Sequence, residues 1–222
     1  MGKLVWDQSG KHVFEYGVSN GVLFPMSDVA GTYDKGVAWN GLTKVNQKPT
    51  GATVTPIYAD GQKYLNLMSA EEFEGTIEAL MYPDEFAECD GSAAIVPGVM
   101  IGQQTRKTFA FCYKTMIGND LNPNAGYKLH IIYGCTVTPT EKAYGTVNES
   151  PEAVSFSWDV KSIPVTVTGF KPTSIIELDS TVIGPVKMAL VEEKLYGKDA
   201  EPASEATLLL PDAIAALVGT GV

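Results

Sequence analysis

The sequence has few of the residues that bind metals or form disulfides. Its 222 residues include three cysteines, Cys89, Cys112 and Cys135, and two histidines, His12 and His130. An odd cysteine count without a Cys-x-x-Cys pair argues against a disulfide framework and against a zinc site. Cys112 and Cys135 lie within apolar segments, so we expect buried thiols there. The sequence therefore predicts neither a metal nor a cofactor.

Long apolar runs are also missing. No run approaches the roughly 20 residues that a membrane-spanning helix needs. The N-terminal segment Met-Gly-Lys-Leu-Val-Trp-Asp-Gln lacks the apolar region of a secretory signal. These absences predict a cytoplasmic protein at synthesis, with no membrane partner.

Positive charge is scarce relative to negative charge. The chain has 16 Lys and Arg residues and 26 Asp and Glu residues, which gives a formal net charge of −10. Such a chain is repelled by the phosphate backbone, so sequence-specific binding or wrapping of DNA is disfavoured. The same repulsion is useful where nucleic acid must pass a protein without adhering to it.

The patterns of common catalytic sites are absent too. There is no Gly-x-Ser-x-Gly elbow and no phosphate-binding loop. Glu74 and Glu78 would lie about 13 Å apart along one strand face, without an apolar pocket to raise either pKa. His130 lies between Leu129 and Ile131, which favours a residue on a sheet face over a ligand. The sequence predicts no enzymatic activity.

What the sequence does contain indicates a mainly β fold, as one large domain or two small ones. Apolar residues make up 45%, and 22 glycines and 13 prolines are spread along the chain, as expected for many short strands and turns. Strands are predicted around residues 13–18, 21–25, 108–116, 127–137, 154–160, 164–168 and 174–178. One or two short helices are predicted, from Pro185 to a stop at Gly197 and from Pro211 to Gly219.

The clearest strand signal lies at residues 71–81. Glu72, Glu74, Thr76 and Glu78 alternate with Phe73, Gly75, Ile77, Ala79 and Met81. Alternation with a period of two predicts a strand with one buried face and one wet, acidic face. A solvated outer face and a purposeful acidic surface both remain open. Pro83 should end the strand, and a short helical turn should follow it.

Residues 36–65 predict a long hairpin. One arm is Val37–Val45, residues 46–51 form a polar tip, and Ala52–Tyr58 returns, with another turn at Asp60-Gly61. Such a hairpin buries little surface alone and needs either its own domain or a neighbour to lie against.

Several sequence blocks together resemble the major tail proteins, or tail tube proteins, of long non-contractile-tailed phages, in the phi13-type family. The blocks are Tyr16–Pro25, Gly36–Leu42, Ala70–Ala79 with Tyr82–Phe86, Gly102–Phe109, Lys128–Gly134 and Phe170–Ser174. The resemblance implies a β-sandwich or barrel subunit of the tail-tube type, with a long hairpin and a flanking helix. It also implies a single domain over residues 1–222, with an N-terminal arm (1–31), the hairpin (36–65) and a C-terminal tail (198–222).

The resemblance implies a structural virion protein that is made in the host cytoplasm. Hexameric rings would stack into the tail tube through which the genome is delivered, and DNA would pass without specific binding. Further partners would be the tape measure, tail terminator and distal tail proteins. In such a tube we expect Glu72, Glu74 and Glu78 to face the lumen. We expect inter-ring contacts from Trp39, Lys44, Lys48 and Pro49.

The alternative is a β-sandwich binding module of a tail or virion surface that contacts a receptor or glycan. It predicts a cluster of exposed aromatic side chains beside hydrogen-bond acceptors, and a monomer or trimer.

Overall fold

The computed structural model describes residues 4–29, 31–69, 71–138, 140–146 and 153–219. Within this part of the chain the fold is mainly β with a few short helices, as predicted. The strands are β1 (Val13–Pro25), β2 (Val37–Trp39), β3 (Leu42–Gly51), β4 (Val54–Ala59), β5 (Gln62–Met68), β6 (Glu71–Ala79), β7 (Ala93–Val96), β8 (Val99–Ile101), β9 (Phe109–Asn119), β10 (Gly126–Thr138), β11 (Phe156–Ser162) and β12 (Ile175–Asp179). The helices are α1 (Phe86–Asp90), α2 (Ser180–Ile183), α3 (Pro185–Tyr196) and α4 (Pro211–Gly219).

The main sheet is antiparallel and has the order β2-β1-β9-β10-β11-β6-β3, with β12 also paired to β10. Strand β3, at one end of this order, lies close to β1, the second strand from the other end, because a Cβ on Gly21 of β1 would lie 2.5 Å from Leu42 Cδ1 of β3. The sheet is therefore curled like an incompletely closed barrel. The long hairpin β4–β5 and the short hairpin β7–β8 form separate two-stranded ladders.

Strand β10 changes partner at Gly134. Residues 128–132 pair with β12, whereas residues 135–138 pair with β11. Gly134 has φ +61°, and a Cβ there would lie 2.3 Å from the carbonyl oxygen of Ile163. Only glycine fits this position without strain or clash. One strand thus contributes to two diverging parts of the sheet.

Two hydrophobic cores lie on opposite faces of β1, β9 and β10. The aromatic core contains Leu23, Trp39, Phe73, Ile77, Phe86, Phe109, Phe111, Tyr113, Ile132, Val137, Trp158 and Val160, with smaller residues. The helix-covered core contains Val22, Phe24, Cys112, Leu129, Ile131, Tyr133, Leu178, Met188, Val191, Leu195, Leu209 and Ile214. Burial on both faces explains why residues 127–137 are mostly apolar, and it confirms the prediction of a central strand.

Helices α3 and α4 cover the second core. Met188, Val191 and Leu195 of α3 are buried, as predicted, and Gly197 ends that helix with φ +79°. Helix α4 also has its predicted limits, and Asp212 in its first turn accepts hydrogen bonds from the backbone N and Oγ1 of Thr168. Much of the expected C-terminal tail is thus part of the packed body; residues 220–222 lie outside the described part.

The hairpin prediction was partly wrong. Residues 46–51, the expected tip, lie inside β3, which pairs with β6 rather than with β4. The return strand is therefore contributed by residues 71–79, and Asp60-Gly61 forms the true tip of β4–β5. The expected N-terminal arm also includes strand β1, whose residues 21–25 are buried. Among the described residues, no helix is long and apolar enough to cross a membrane.

Candidate assembly surface

Strand β6 has the predicted alternation. Phe73, Gly75, Ile77 and Ala79 are buried, while the glutamates point to the opposite face. Met81 lies beyond the strand and is exposed, so its expected burial was wrong. Gly75 lies so close to β3 that a Cβ would be 2.6 Å from the carbonyl oxygen of Asn46. The wet face of β6 is therefore held firmly in register between β3 and β11.

Lysines on both neighbouring strands accompany the glutamates. Lys161 Nζ of β11 lies 2.7 Å from Glu74 Oε1, and Lys44 Nζ of β3 lies 3.6 Å from Glu78 Oε1. Lys48 is opposite Glu74 in the β3–β6 register. The hydrogen bond with Glu74 raises the pKa of Lys161. The face is a ladder of mixed charge, so a lumen-facing role of Glu72, Glu74 and Glu78 remains a prediction.

Of the four expected inter-ring residues, Trp39 is in the core. Its side chain is 1% exposed, and its indole Nε1 donates to the Met81 carbonyl oxygen at 2.9 Å. Its rings pack against Phe86 and Trp158, with centroids 4.5 and 5.6 Å away. The prediction that Trp39 contacts the next ring of subunits is therefore wrong, because its side chain does not reach the surface.

Lys44, Lys48 and Pro49 are exposed on β3, a strand whose only ladder partner in the described chain is β6. Because side chains alternate along a strand, Pro49 points to the face opposite Lys44 and Lys48. The structure therefore does not unite the four residues into one surface, and an inter-ring role of these three remains a prediction.

Hairpin β4–β5 exposes apolar side chains on both faces. Every residue of the two strands is exposed, and none belongs to either core. The large apolar members are Val54, Ile57, Tyr58, Tyr64, Leu65, Leu67 and Met68. A two-stranded ladder has little stability by itself, and contiguous exposed apolar groups usually mark an interaction surface.

The sequence reasoning missed a second such hairpin, β7–β8. Its exposed apolar residues are Ile95, Val96, Val99, Met100 and Ile101. The turn contains Gly98 with φ +85° after Pro97. A Pro-Gly pair between two short apolar runs is a recognisable turn signal, and this hairpin could have been predicted from it.

The N-terminal segment before β1 is attached to the loop after β9. Asp120 accepts hydrogen bonds from the backbone N of Gly10 at 2.9 and 3.0 Å, and His12 Nδ1 lies 3.4 Å from it. The hydrogen bond from Gly10 is the largest of the effects that lower the pKa of Asp120. Leu4, Val5 and Trp6 are nevertheless exposed. They add a third apolar segment at the surface.

The chemically reactive residues do not form a site. Cys89, Cys112 and Cys135 are free and buried, and burial raises the pKa of the Cys89 and Cys112 thiols to about 12. No group of three or more His, Cys, Asp or Glu side chains within the described ranges is placed to hold a metal ion. His130 lies on a sheet face, as predicted, within a polar cluster considered below.

No protein-family model matches the sequence, and no curated protein does. The phi13-type resemblance therefore remains a prediction. Several solved structures are similar to this chain. One is the sheath-tube complex of an extracellular contractile injection system, PVC, in its extended state, with 10% identity over 72% of this chain and 88% of that one, and a TM-score of 0.31.

Another is the 6-fold symmetrised baseplate of the anti-feeding prophage, with 8% identity over 78% of this chain and 97% of that one, and a TM-score of 0.29. At TM-scores this low, neither likeness establishes a common fold.

Proposed function

We propose that this chain is a structural subunit of a phage tail that assembles with copies of itself into stacked rings. The observation that carries the proposal is the β4–β5 hairpin. It projects apolar side chains on both faces from a body whose two cores are already complete. Burying those side chains requires another molecule, and the sequence resemblance to tail tube proteins makes further copies of the chain the favoured partner.

Charge and surface chemistry support a conduit rather than a nucleic-acid-binding protein. The net charge of −10 keeps DNA from adhering to the subunit. We propose hexameric rings in the virion tail, preceded by a host-cytoplasmic subunit, with contacts to the tape measure, tail terminator and distal tail proteins. The role proposed is structural and not enzymatic.

Electron microscopy and light scattering of the purified protein over a range of concentrations test this function. We expect rings or tubes from the unmodified chain. A variant with Tyr58→Ser, Tyr64→Ser and Leu67→Ser should remain folded and monomeric. The matched control, with Tyr144→Ser, Leu121→Ser and Val182→Ser, removes exposed apolar groups elsewhere and should still assemble.

One observation favours the alternative, a binding module for a receptor or glycan. Tyr58 and Tyr64 are exposed near the tip of β4–β5, with Asn66 on the same strand as Tyr64. An unmodified chain that stays monomeric at every concentration, yet binds glycans through this hairpin, would replace the tube proposal with this one.

A further inference from the structure

His130 is a buried imidazole at which side chains from five strands meet. It is on β10, and its side chain is 4% exposed. Its ring stacks on Tyr113 of β9, with centroids 4.6 Å apart and planes inclined by 8°. Glu15 of β1, Glu177 of β12 and Gln47 of β3 also reach the ring nitrogens. The imidazole is thus a junction between the sheet centre and three separate strands.

The partners of Nε2 determine which nitrogen carries the hydrogen. Thr115 Oγ1 donates to Glu15 Oε1 at 2.5 Å, so it accepts from His130 Nε2 at 2.9 Å. Glu15 Oε1 is itself 3.2 Å from Nε2, which also requires a hydrogen there. In the neutral ring Nδ1 is therefore an acceptor.

Two groups of opposite character face that acceptor. The Gln47 amide Nε2, a donor, lies 3.5 Å from Nδ1 and also donates to the Tyr113 hydroxyl at 2.6 Å. Glu177 Oε1, an acceptor, lies 3.5 Å from the same atom. Neutral His130 is compatible with Gln47 and repels Glu177. A proton on Nδ1 reverses both relationships, because the ring then presents a donor and a positive charge.

A proton on His130 changes the net charge of the surrounding cluster. Lys128 Nζ lies 2.8 Å from Glu15 and 3.9 Å from Glu177, so the neutral cluster holds two carboxylates and one ammonium. Protonated His130 would bring it to neutrality. Burial nevertheless lowers the pKa of His130 from its ordinary 6.5, against the opposing effects of Glu177 and Glu15. Stability from the neutral ring is therefore present above pH 6.5 and is lost as pH falls from there toward the lowered pKa.

We propose that His130 is a pH-sensitive latch on strand β3, in which a proton on Nδ1 transfers the partnership of the ring from Gln47 to Glu177. Among the described residues, β3 has one ladder neighbour, β6, so the contacts of Gln47 with Tyr113 and His130 are additional attachments to the sheet centre, and the proton removes the second of them. β3 leads directly into the β4–β5 hairpin. Mild acid thus loosens the strand that supports the hairpin, whatever the hairpin binds.

Hydrogen–deuterium exchange of the full chain, followed by mass spectrometry, tests the latch. Exchange is measured at a series of pH values from about 7.5 to about 4.5, which extends well below the ordinary histidine pKa because burial lowers the pKa of His130, after correction for intrinsic rates. Peptides from β3 should lose about fivefold protection at the low end of this series, as expected for one lost hydrogen bond. Peptides from β11, which pairs with the other side of β6, serve as the reference and should not change.

Two variants and one control variant make the result specific. His130→Gln keeps a donor toward Thr115 and takes up no proton, so its β3 protection should not depend on pH. Glu177→Gln weakens the protonated state, so the loss in β3 should move to lower pH. His12→Gln, at the exposed histidine, should behave like the unmodified protein.

A loss in β3 that persists unchanged in His130→Gln would overturn the latch. So would equal protection of β3 at both ends of this pH series in the unmodified chain. If His130→Gln does not fold, an unshifted midpoint in Glu177→Gln would refute it instead. None of these outcomes depends on whether the chain forms tubes.

Discussion

Thr53 and Ser69 close the neck of the β4–β5 hairpin. The Ser69 N donates to the Thr53 carbonyl oxygen at 3.1 Å, the Thr53 N donates to Ser69 Oγ at 3.0 Å, and the two hydroxyl oxygens are 2.9 Å apart. The hairpin beyond this neck contributes nothing to either core. It is therefore separable from the body of the subunit.

Excision of the hairpin should leave the body folded. We expect that replacing residues 54–68 with Asn-Gly, which suits a two-residue turn, changes the free energy of unfolding by less than about 1 kcal/mol. Urea unfolding followed by circular dichroism measures this. Deleting residues 44–53 is the contrasting control and should unfold the chain, because that segment is paired with β6. Equal damage from both deletions would show that the hairpin supports the body.

Trp39 should matter for stability rather than for contacts between subunits. Trp39→Ala removes a buried ring and the hydrogen bond to Met81, and should cost about 3–5 kcal/mol of unfolding free energy. Trp6→Ala is the control at a ring that is 72% exposed, and should have almost no effect. A Trp39→Ala protein with normal stability that fails to assemble would restore the surface role.

The charged face of β6 should tolerate neutral substitutions better than reversed charges. Replacing Glu72, Glu74 and Glu78 by lysine would place three new lysines beside Lys44, Lys48 and Lys161, which makes six on one face. We expect a lower melting temperature, most strongly at low ionic strength, since salt screens exposed charges. The matched triple glutamine variant should melt closer to the unmodified protein. A salt-independent loss would point to packing instead of repulsion.

The three thiols should report on global unfolding. Burial raises the pKa of Cys89 and Cys112 to about 12 and raises that of Cys135 as well, so little thiolate forms at neutral pH. A disulfide reagent should leave the native protein unlabelled and should modify all three thiols in denaturant. Ala203→Cys, at an exposed position, is the control and should react at once. Fast labelling of any native thiol would reveal local opening.

Much of the fold could be predicted from local patterns in the sequence. The alternation at residues 71–79 and the Pro185-to-Gly197 helix predicted elements that the structure contains. Such signals depend on neighbours along the chain, where periodicity and capping act directly. The burial of Trp39 and the pairing of β3 with β6 depend on distant segments, and no short motif records them.

The candidate site shows the same division. The glutamates of β6 were identifiable as one face, but Lys161, the partner of Glu74, is on a strand far along the chain. The cluster around His130 likewise joins residues from five strands, each unremarkable in its own segment. Cross-strand partners become visible only when the register is known.

The change of partner along β10 has a mechanical consequence. The continuous backbone of β10 pairs with β12 before Gly134 and with β11 after it. If the β12 part of the sheet slid against the β11 part, the force would therefore act on covalent bonds of β10 as well as on hydrogen bonds. The hydrogen bonds of a ladder can break one pair at a time, whereas the covalent bonds of a continuous backbone do not break under such a load. A pulling force along the subunit would therefore be shared by both parts through this single strand.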